Sequence, residues 1–324
     1  MHLFIQEYGA RLEIEDEMLK VCWNEEVRKF SFLKIQSINV LKPGSLTTAV
    51  LLTAANYQVP LLIYSMTGKV EAWIWSPKYG NIANLRKQQV YFSDSEAGIK
   101  WTQELLVTKL QHQIQNLRWM ADRIVTQKKI LLNTVERIQP KIERIQLTQD
   151  FDSMRGFEGS SSKWYWAALS KGMESKIRFT NRQKKGAKDV FNKCLNYLYG
   201  ILYGVIEASL LMTGLDPYMG IYHVIRHDRP TLVFDHIEPF RPWIDKMLID
   251  LIRRGKLDPE CLEVETGFIK LETRKILIET FFQNMEEKSK LNHKMIKRVD
   301  HIHYLSRILA QRIREFYENK NDLL

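Results

Sequence analysis

Several enzyme signatures are missing from this 324-residue chain. It has no GxxxxGK run followed by Ser or Thr to cradle nucleotide phosphates, no GxGxxG turn after a strand, no HExxH helix and no GxSxG elbow. Those absences argue against the common nucleotide hydrolases, dinucleotide-dependent oxidoreductases, zincin peptidases and α/β-hydrolases. Cysteine is scarce: Cys22, Cys194 and Cys261 are scattered, with no CxxC pair. That argues against a zinc site or a disulfide framework and suits a reducing cytoplasm. The start, MHLFIQEYG, lacks the basic opening and apolar block of a signal peptide. No membrane span is expected either. The most apolar window, YLYGILYGVIEASLLMTG (197–214), is interrupted by Glu207 and preceded by Asn192, Lys193 and Asn196, so it reads as a buried helix.

What is present is an ordinary globular composition, 45% hydrophobic and 27% charged, with a formal net charge of +10. The surplus favours an acidic partner, nucleic acid or an anionic membrane surface. Residues 1–80 read as a β-rich domain: LFIQEY, ARLEIE, MLKVCW, RKFSF, VPLLIYS and VEAWIW are short β-prone runs, with a short helix in TTAVLLTAANYQ. Residues 81–96 read as a linker. Over 97–324 the period turns helical, with Leu106, Leu110, Ile114, Leu117, Ala121 and Ile124 on one face. Helical segments are expected to the end, broken at Pro140, around Arg155–Ser162, at 181–186, at 216–220 and at 255–259. The fold class is α+β, a small β-rich domain followed by a larger all-α one.

Three stretches carry chemistry. In RGFEGSSSKWYW (155–166), Gly156 and Gly159 bracket Glu158, and Ser160–Ser162 offer an N-cap for a helix beginning near Lys163. Glu158 either projects into a site or sits at a helix N-terminus, where the dipole favours negative charge. In MGIYHVIRHDRPTLVFDHIEPFRP (219–242), Asp235 and Glu238 share a face if helical, and Arg241 follows three further on. With His223 this set suits a hard cation, its one nitrogen donor admitting manganese as well as magnesium. The competing account is a helix-start cluster, with His223 in the core and Glu238 paired with Arg241. His227 falls in a turn, and His236, adjacent to Asp235, points elsewhere on a helix; His301 and His303, two apart, diverge on a helix. The third stretch, NRQKKGAK (181–188), is a basic loop bearing Arg182, Lys184, Lys185 and Lys188, either a phosphate contact or a solvated loop. The late charges Lys288, Lys290, Lys294, Lys297, Arg298, Arg307, Arg312 and Arg314 mostly fit exposed faces of amphipathic helices, with a binding surface the alternative for some of them.

Taken together, the β-rich start, GFEG, the run NYLYGILYGVIEASLLMTGLDPYMGIYH, FDHIEPFRP and the late GFIKLETRKILIETF resemble the CRISPR adaptation integrase family, Cas-one, along nearly the whole chain. The order and spacing of Glu158, His223 and Glu238 carry most of that resemblance. It implies a β-domain and α-domain protein paired as a homodimer through the β-rich part, with catalysis in the α part. It implies Glu158, His223 and Glu238 as ligands of Mg2+ or Mn2+, with Asp235 a supporting or alternative ligand and His223 either a ligand or a proton carrier. Arg241 and Lys270 match basic positions near the family's site; Lys163, Arg182, Lys184 and Lys185 join them as DNA-binding candidates. Phe157 stands where the family often has a smaller aliphatic residue.

The implied reaction joins prespacer DNA to a CRISPR array: a 3′-hydroxyl attacks a repeat-boundary phosphodiester. Double-stranded and branched DNA are the implied substrates, and a small Cas-two protein bridging two dimers is the implied partner. A non-catalytic DNA-binding scaffold and a DNA-repair nuclease acting on branched DNA are the competing readings.

Overall fold

The computed structural model describes residues 1–65, 70–74, 76, 82–173, 175–224, 229–291 and 293–321. His227 lies outside them. The chain is α+β, as its patterning indicates: strands dominate the first quarter and helices the rest.

Strands β1 (His2–Ile5), β5 (Ser37–Val40), β7 (Leu61–Tyr64) and β8 (Val70–Ile74) form one sheet in that order, parallel up to β7 and antiparallel at β8. A second sheet runs β4 (Glu26–Ser31), β3 (Met18–Trp23), β2 (Arg11–Glu15), β6 (Ser45–Leu46). Alternation explains the packing: Leu3 and Ile5 of β1, Leu12 of β2, and Leu19 and Val21 of β3 are buried in a shared core. Val50 and Ala54 of α1 (Thr48–Asn56) complete it. β5 is buried at every residue, so its polar Asn39 is bonded: Nδ2 donates to the Ser37 hydroxyl at 2.8 Å, and Oδ1 accepts from Tyr64 at 3.0 Å.

The helical part holds a second, larger core. Its elements are α2 (Ile82–Ser93), α3 (Glu96–Ala121), α4 (Lys128–Leu147), α5 (Phe151–Gly172), α6 (Val190–Met212), α7 (Thr231–His236), α8 (Arg241–Arg253), α9 (Leu271–Glu286) and α10 (Arg298–Asn321). The expected stripe on α3 is buried along its length. Among the described residues only α6 is long and apolar enough to cross a membrane, but 72% of its most apolar window is buried inside the protein. It packs against α7, α8, α9 and α10.

Three local expectations are corrected, and within the stretch read as a linker residues 82–93 form α2, which buries Leu85, Gln89 and Phe92. Pro140 does not break the chain, because α4 passes through it. Leu131, Val135, Ile138, Ile142 and Ile145 hold that helix on its neighbours while Pro140 faces solvent, where water can serve the freed carbonyl. Residues 155–162 are likewise mid-helix. α5 starts at Asp150, whose carboxylate caps Ser153 N–H at 2.7 Å, and Ser160 and Ser161 turn their hydroxyls back onto the Phe157 carbonyl. Finally, Lys288, Lys290, Lys294 and Lys297 sit on a hairpin, β9 (Lys288–Leu291) and β10 (Lys294–Lys297), rather than on helices.

The two parts interlock where α6 meets β7. A Cβ on Gly204 would stand 2.1 Å from a ring carbon of Tyr64, and that ring is anchored through Asn39. Gly204→Ala must therefore displace either the helix or a bonded buried phenol. We expect a loss of about 1–3 kcal/mol, read as a lower denaturant midpoint.

Candidate active site

The candidate residues come from five segments. Glu158 lies mid-way along α5, His223 follows α6 in the loop before α7, and Asp235 is on α7. Glu238 sits in the turn between α7 and α8, and Arg241 opens α8. The loop that carries His223 is held from two sides. Buried Gln89 of α2 donates to the carbonyls of Asp216 and Met219, both at 2.9 Å, and accepts from Asp216 N–H at 3.0 Å. Thr231 accepts from Gly220 N–H at 3.0 Å and donates to the Tyr218 carbonyl at 2.6 Å. A Cβ at Gly220 would lie 2.7 Å from the Thr231 side chain, so this close approach requires glycine.

Asp235, with a fully buried side chain, organises the end of this loop. Its Oδ2 accepts from Ile221 N–H at 2.7 Å and Tyr222 N–H at 3.0 Å; its Oδ1 accepts from His223 N–H at 2.9 Å. The same Oδ1 meets His223 Nδ1 at 2.6 Å. A carboxylate only accepts, so this contact places the ring proton on Nδ1 and leaves Nε2 with its lone pair in the neutral ring. His223 is no core histidine: its side chain is 40% exposed.

Glu158 and Glu238 converge on a residue that the motifs do not contain. The ammonium of Lys109, on α3, contacts Glu158 Oε1 and lies 2.5 Å from Glu238 Oε2, with its side chain only 8% exposed. Ser162 donates to Glu158 at 2.8 Å, and Arg241 Nε pairs with Glu238 Oε1 at 3.0 Å. The pairing expected of Glu238 and Arg241 is thus present, as part of a larger cluster. Burial alone would raise the pKa of both glutamates, but the cations outweigh it: Lys109 lowers that of Glu158, and Arg241 with Lys109 holds that of Glu238 at about 2. Burial would likewise lower the Lys109 pKa, yet Glu238 and Glu158 raise it. His223 is near enough for its charge to act on Glu238.

Arg241 is positioned in turn. Its Nη2 donates to Tyr203 at 2.6 Å, and its guanidinium lies 4.8 Å from the Tyr199 ring centre. Tyr199 and Tyr165 donate to the buried carboxylate of Asp245 at 2.5 and 3.0 Å, and Asn116 of α3 donates to Tyr165 at 2.9 Å.

The remaining basic candidates divide. Exposed Lys184 is close enough to the cluster that its pKa, lowered first by desolvation and then by Arg241, is pulled back by Glu238. Arg182 is committed to Asn192 and Asn196, at 3.0 and 2.6 Å. Lys163 and Lys185 are exposed. Lys270 sits at the N-cap of α9, and among the described residues no bond or ion pair joins it to Glu158, His223 or Glu238. Lys109 was legible only indirectly. With Gln113 and Asn116 it makes a polar seam at steps of four and three beside the apolar stripe of α3, and all three are buried.

The donor set of two carboxylates and one imidazole nitrogen fits a hard divalent cation, and the carboxylate pair already gathers around a positive charge. Among the described residues, no three His, Cys, Asp or Glu side chains converge closely enough to hold an ion as they stand. Lys109 is interposed between the two glutamates, and His223 Nδ1 is turned to Asp235.

Two outcomes follow in metal-free buffer. Lys109→Met leaves two buried carboxylates without their shared cation. It is expected to cost about 3–5 kcal/mol, part of which Glu158→Gln recovers in the double variant, measured by chemical denaturation. Glu238 has a folded pKa of about 2 against an ordinary 4.5, so its contribution is complete above the ordinary value and fades as pH falls toward 2. Glu238→Gln should lower stability at neutral pH and flatten the stability–pH slope across that window; an unchanged slope would refute the assignment.

Comparison with known proteins identifies the family and the fold. The family model of CRISPR associated protein Cas1 matches residues 3–287. A CRISPR-associated protein Cas1 of Methanobrevibacter ruminantium is 28% identical over 287 residues, 86% of each chain. A CRISPR-associated endonuclease Cas1 of Francisella tularensis subsp. novicida is 25% identical over 304 residues, 93% of this chain and 92% of that one. Solved structures share the fold. A casposase bound to integration product aligns with a TM-score of 0.76 at 19% identity, covering 96% of this chain and 90% of that one. A chain of a Cas6-RT-Cas1–Cas2 complex gives 0.77 at 18% identity, covering 97% of this chain and 35% of that one. With a match spanning most of its length, the chain belongs to the CRISPR-associated Cas1 family.

Proposed function

We propose that this chain is a divalent-metal-dependent DNA integrase and endonuclease of CRISPR adaptation. The observation that carries the reading is the buried Glu158–Lys109–Glu238 cluster, set beside a histidine whose Nδ1 is held by Asp235, in a member of the Cas1 family. Relatives named endonucleases, and a structural likeness to a casposase bound to integration product, support it. So does the net charge of +10, which suits a polyanionic substrate held largely through phosphates.

Glu158, Glu238 and His223 Nε2 would hold Mg2+ or Mn2+, which supplies Lewis-acid stabilisation of charge on the reacting phosphate. Asp235 fixes the tautomer and direction of His223, as carboxylates behind metal-binding or proton-carrying histidines do. Where Nε2 is free of metal it can take the proton of the attacking 3′-hydroxyl. Arg241, Lys109 and Lys184 bring positive charge to the phosphate. One P–O bond forms as another breaks, so strand joining needs no nucleotide hydrolysis; water in place of the 3′-hydroxyl gives cleavage.

In this reading residues 1–80 pair two copies and the helical part is catalytic. The DNA is double-stranded or branched, a Cas2 protein bridges two dimers, and the setting is the cytoplasm. Similarity to the Cas6-RT-Cas1–Cas2 complex supports the Cas2 partner.

Glu158→Ala, His223→Ala and Glu238→Ala should each reduce strand joining on branched DNA by at least about 100-fold with Mn2+ present, while duplex binding persists. Full activity in any one removes that residue from the site. A repair nuclease would cleave branched DNA without joining a prespacer to a repeat, and a scaffold would bind DNA and do neither.

A further inference from the structure

The residue beside His223 has a hydroxyl that the protein does not use. Tyr222 is 4% exposed, and among the described residues its Oη has no hydrogen-bond partner. Leaving a buried hydroxyl unpaired costs about 1–3 kcal/mol, and folded proteins do so rarely. The ring is nevertheless held from several sides. The Tyr222 N–H donates to Asp235 at 3.0 Å, and its carbonyl accepts from Arg155 Nη2 at 2.7 Å. The Arg155 guanidinium lies 5.3 Å from the ring centre, with Phe151 and His223 edge-on at 6.0 and 5.1 Å.

The surroundings define what that hydroxyl can do. The ring lies close enough to Glu158, Glu238 and Asp235 to feel their charge. A phenol ordinarily titrates at about 10, so it holds its proton at neutral pH and acts as a donor. The carboxylates around it are engaged already: Glu158 by Lys109 and Ser162, Glu238 by Arg241 and Lys109, Asp235 by three backbone amides and His223. Among the described residues no acceptor remains for the hydroxyl.

We propose that the Tyr222 hydroxyl is a substrate-contacting donor, and that its acceptor is an oxygen of the phosphodiester undergoing exchange. This rests on the strand-transfer reading above. The partner is identified by chemistry: DNA phosphate oxygens are acceptors only, and charge accumulates on them as the phosphate passes through its transition state. A neutral donor serves there without adding to the site's charge. The cost of the unpaired hydroxyl is borne in the free protein and relieved when DNA is bound.

Tyr222→Phe tests the proposal because it removes one oxygen and keeps the ring. Strand joining at saturating DNA and Mn2+ should fall ~10- to 100-fold, with duplex affinity and the Mn2+ isotherm within about twofold of wild type. The melting temperature should stay level or rise, since the unpaired buried oxygen is gone. Tyr222→Leu, which also removes the ring, should lose melting temperature as well as rate. Undiminished joining by Tyr222→Phe overturns the proposal. A lower melting temperature or weakened Mn2+ binding in that variant overturns it too, by making the hydroxyl structural. If wild type and Glu158→Ala are equally inert on every DNA tested, the strand-transfer reading falls and this inference with it. If wild type joins strands and Tyr222→Phe matches it, only the inference falls.

Discussion

One buried ammonium governs this site. Two carboxylates within reach of the same Nζ repel each other, on the order of 4 kcal/mol at about 4 Å in a partly polar interior. Lys109 turns that repulsion into attraction, and Arg241 supplies the second positive charge that makes the group neutral. The arrangement ties α3 to α5 and to the α7–α8 turn, three pieces distant in sequence. Buried ion clusters add little net stability over apolar packing; breaking one is what costs. The cluster is thus better understood as fixing which oxygen faces which neighbour than as holding the fold together.

Behind it stands a wholly buried set of hydrogen bonds. Asn116, Tyr165, Tyr199 and Asp245 join α3, α5, α6 and α8, and Tyr199 presents its ring to the Arg241 guanidinium. Arg241 is therefore aimed by groups that never reach the carboxylates themselves. On the other side, Gln89 and Thr231 hold the loop from which Asp235 directs His223. The charged side chains rest on helices or on pinned turns, the condition for a site whose geometry survives thermal motion.

Much of the architecture was readable from periodicity. Alternation in the first quarter and the three–four stripe of α3 both correspond to buried faces. Local punctuation misled where tertiary packing outweighed it. Pro140 stays helical because five apolar residues of α4 are buried around it, and the Gly–Ser stretch stays helical because its serines bond back to Phe157. The segment taken as a linker is a helix whose Gln89 holds the histidine loop, a role no local pattern encodes. Glu158 and Glu238 contact one ammonium, that of Lys109, a residue their motifs do not contain. A lysine beside an apolar stripe ordinarily reads as a snorkelling surface residue, and only the α5 and α7–α8 carboxylates give it a reason to be inside.

The apolar character of α6 bears on how the chain is made. Its partners α7, α8, α9 and α10 follow it in sequence, so during synthesis the helix leaves the ribosome with β7 and α5 already made but before those four surfaces exist. Until then its most hydrophobic window is open to chaperones, to other nascent chains, or to machinery that sorts apolar helices toward a bilayer. Glu207, five residues before the end of that helix, bears on the outcome in this interval: a carboxylate there disfavours bilayer insertion while leaving the helix free to pack.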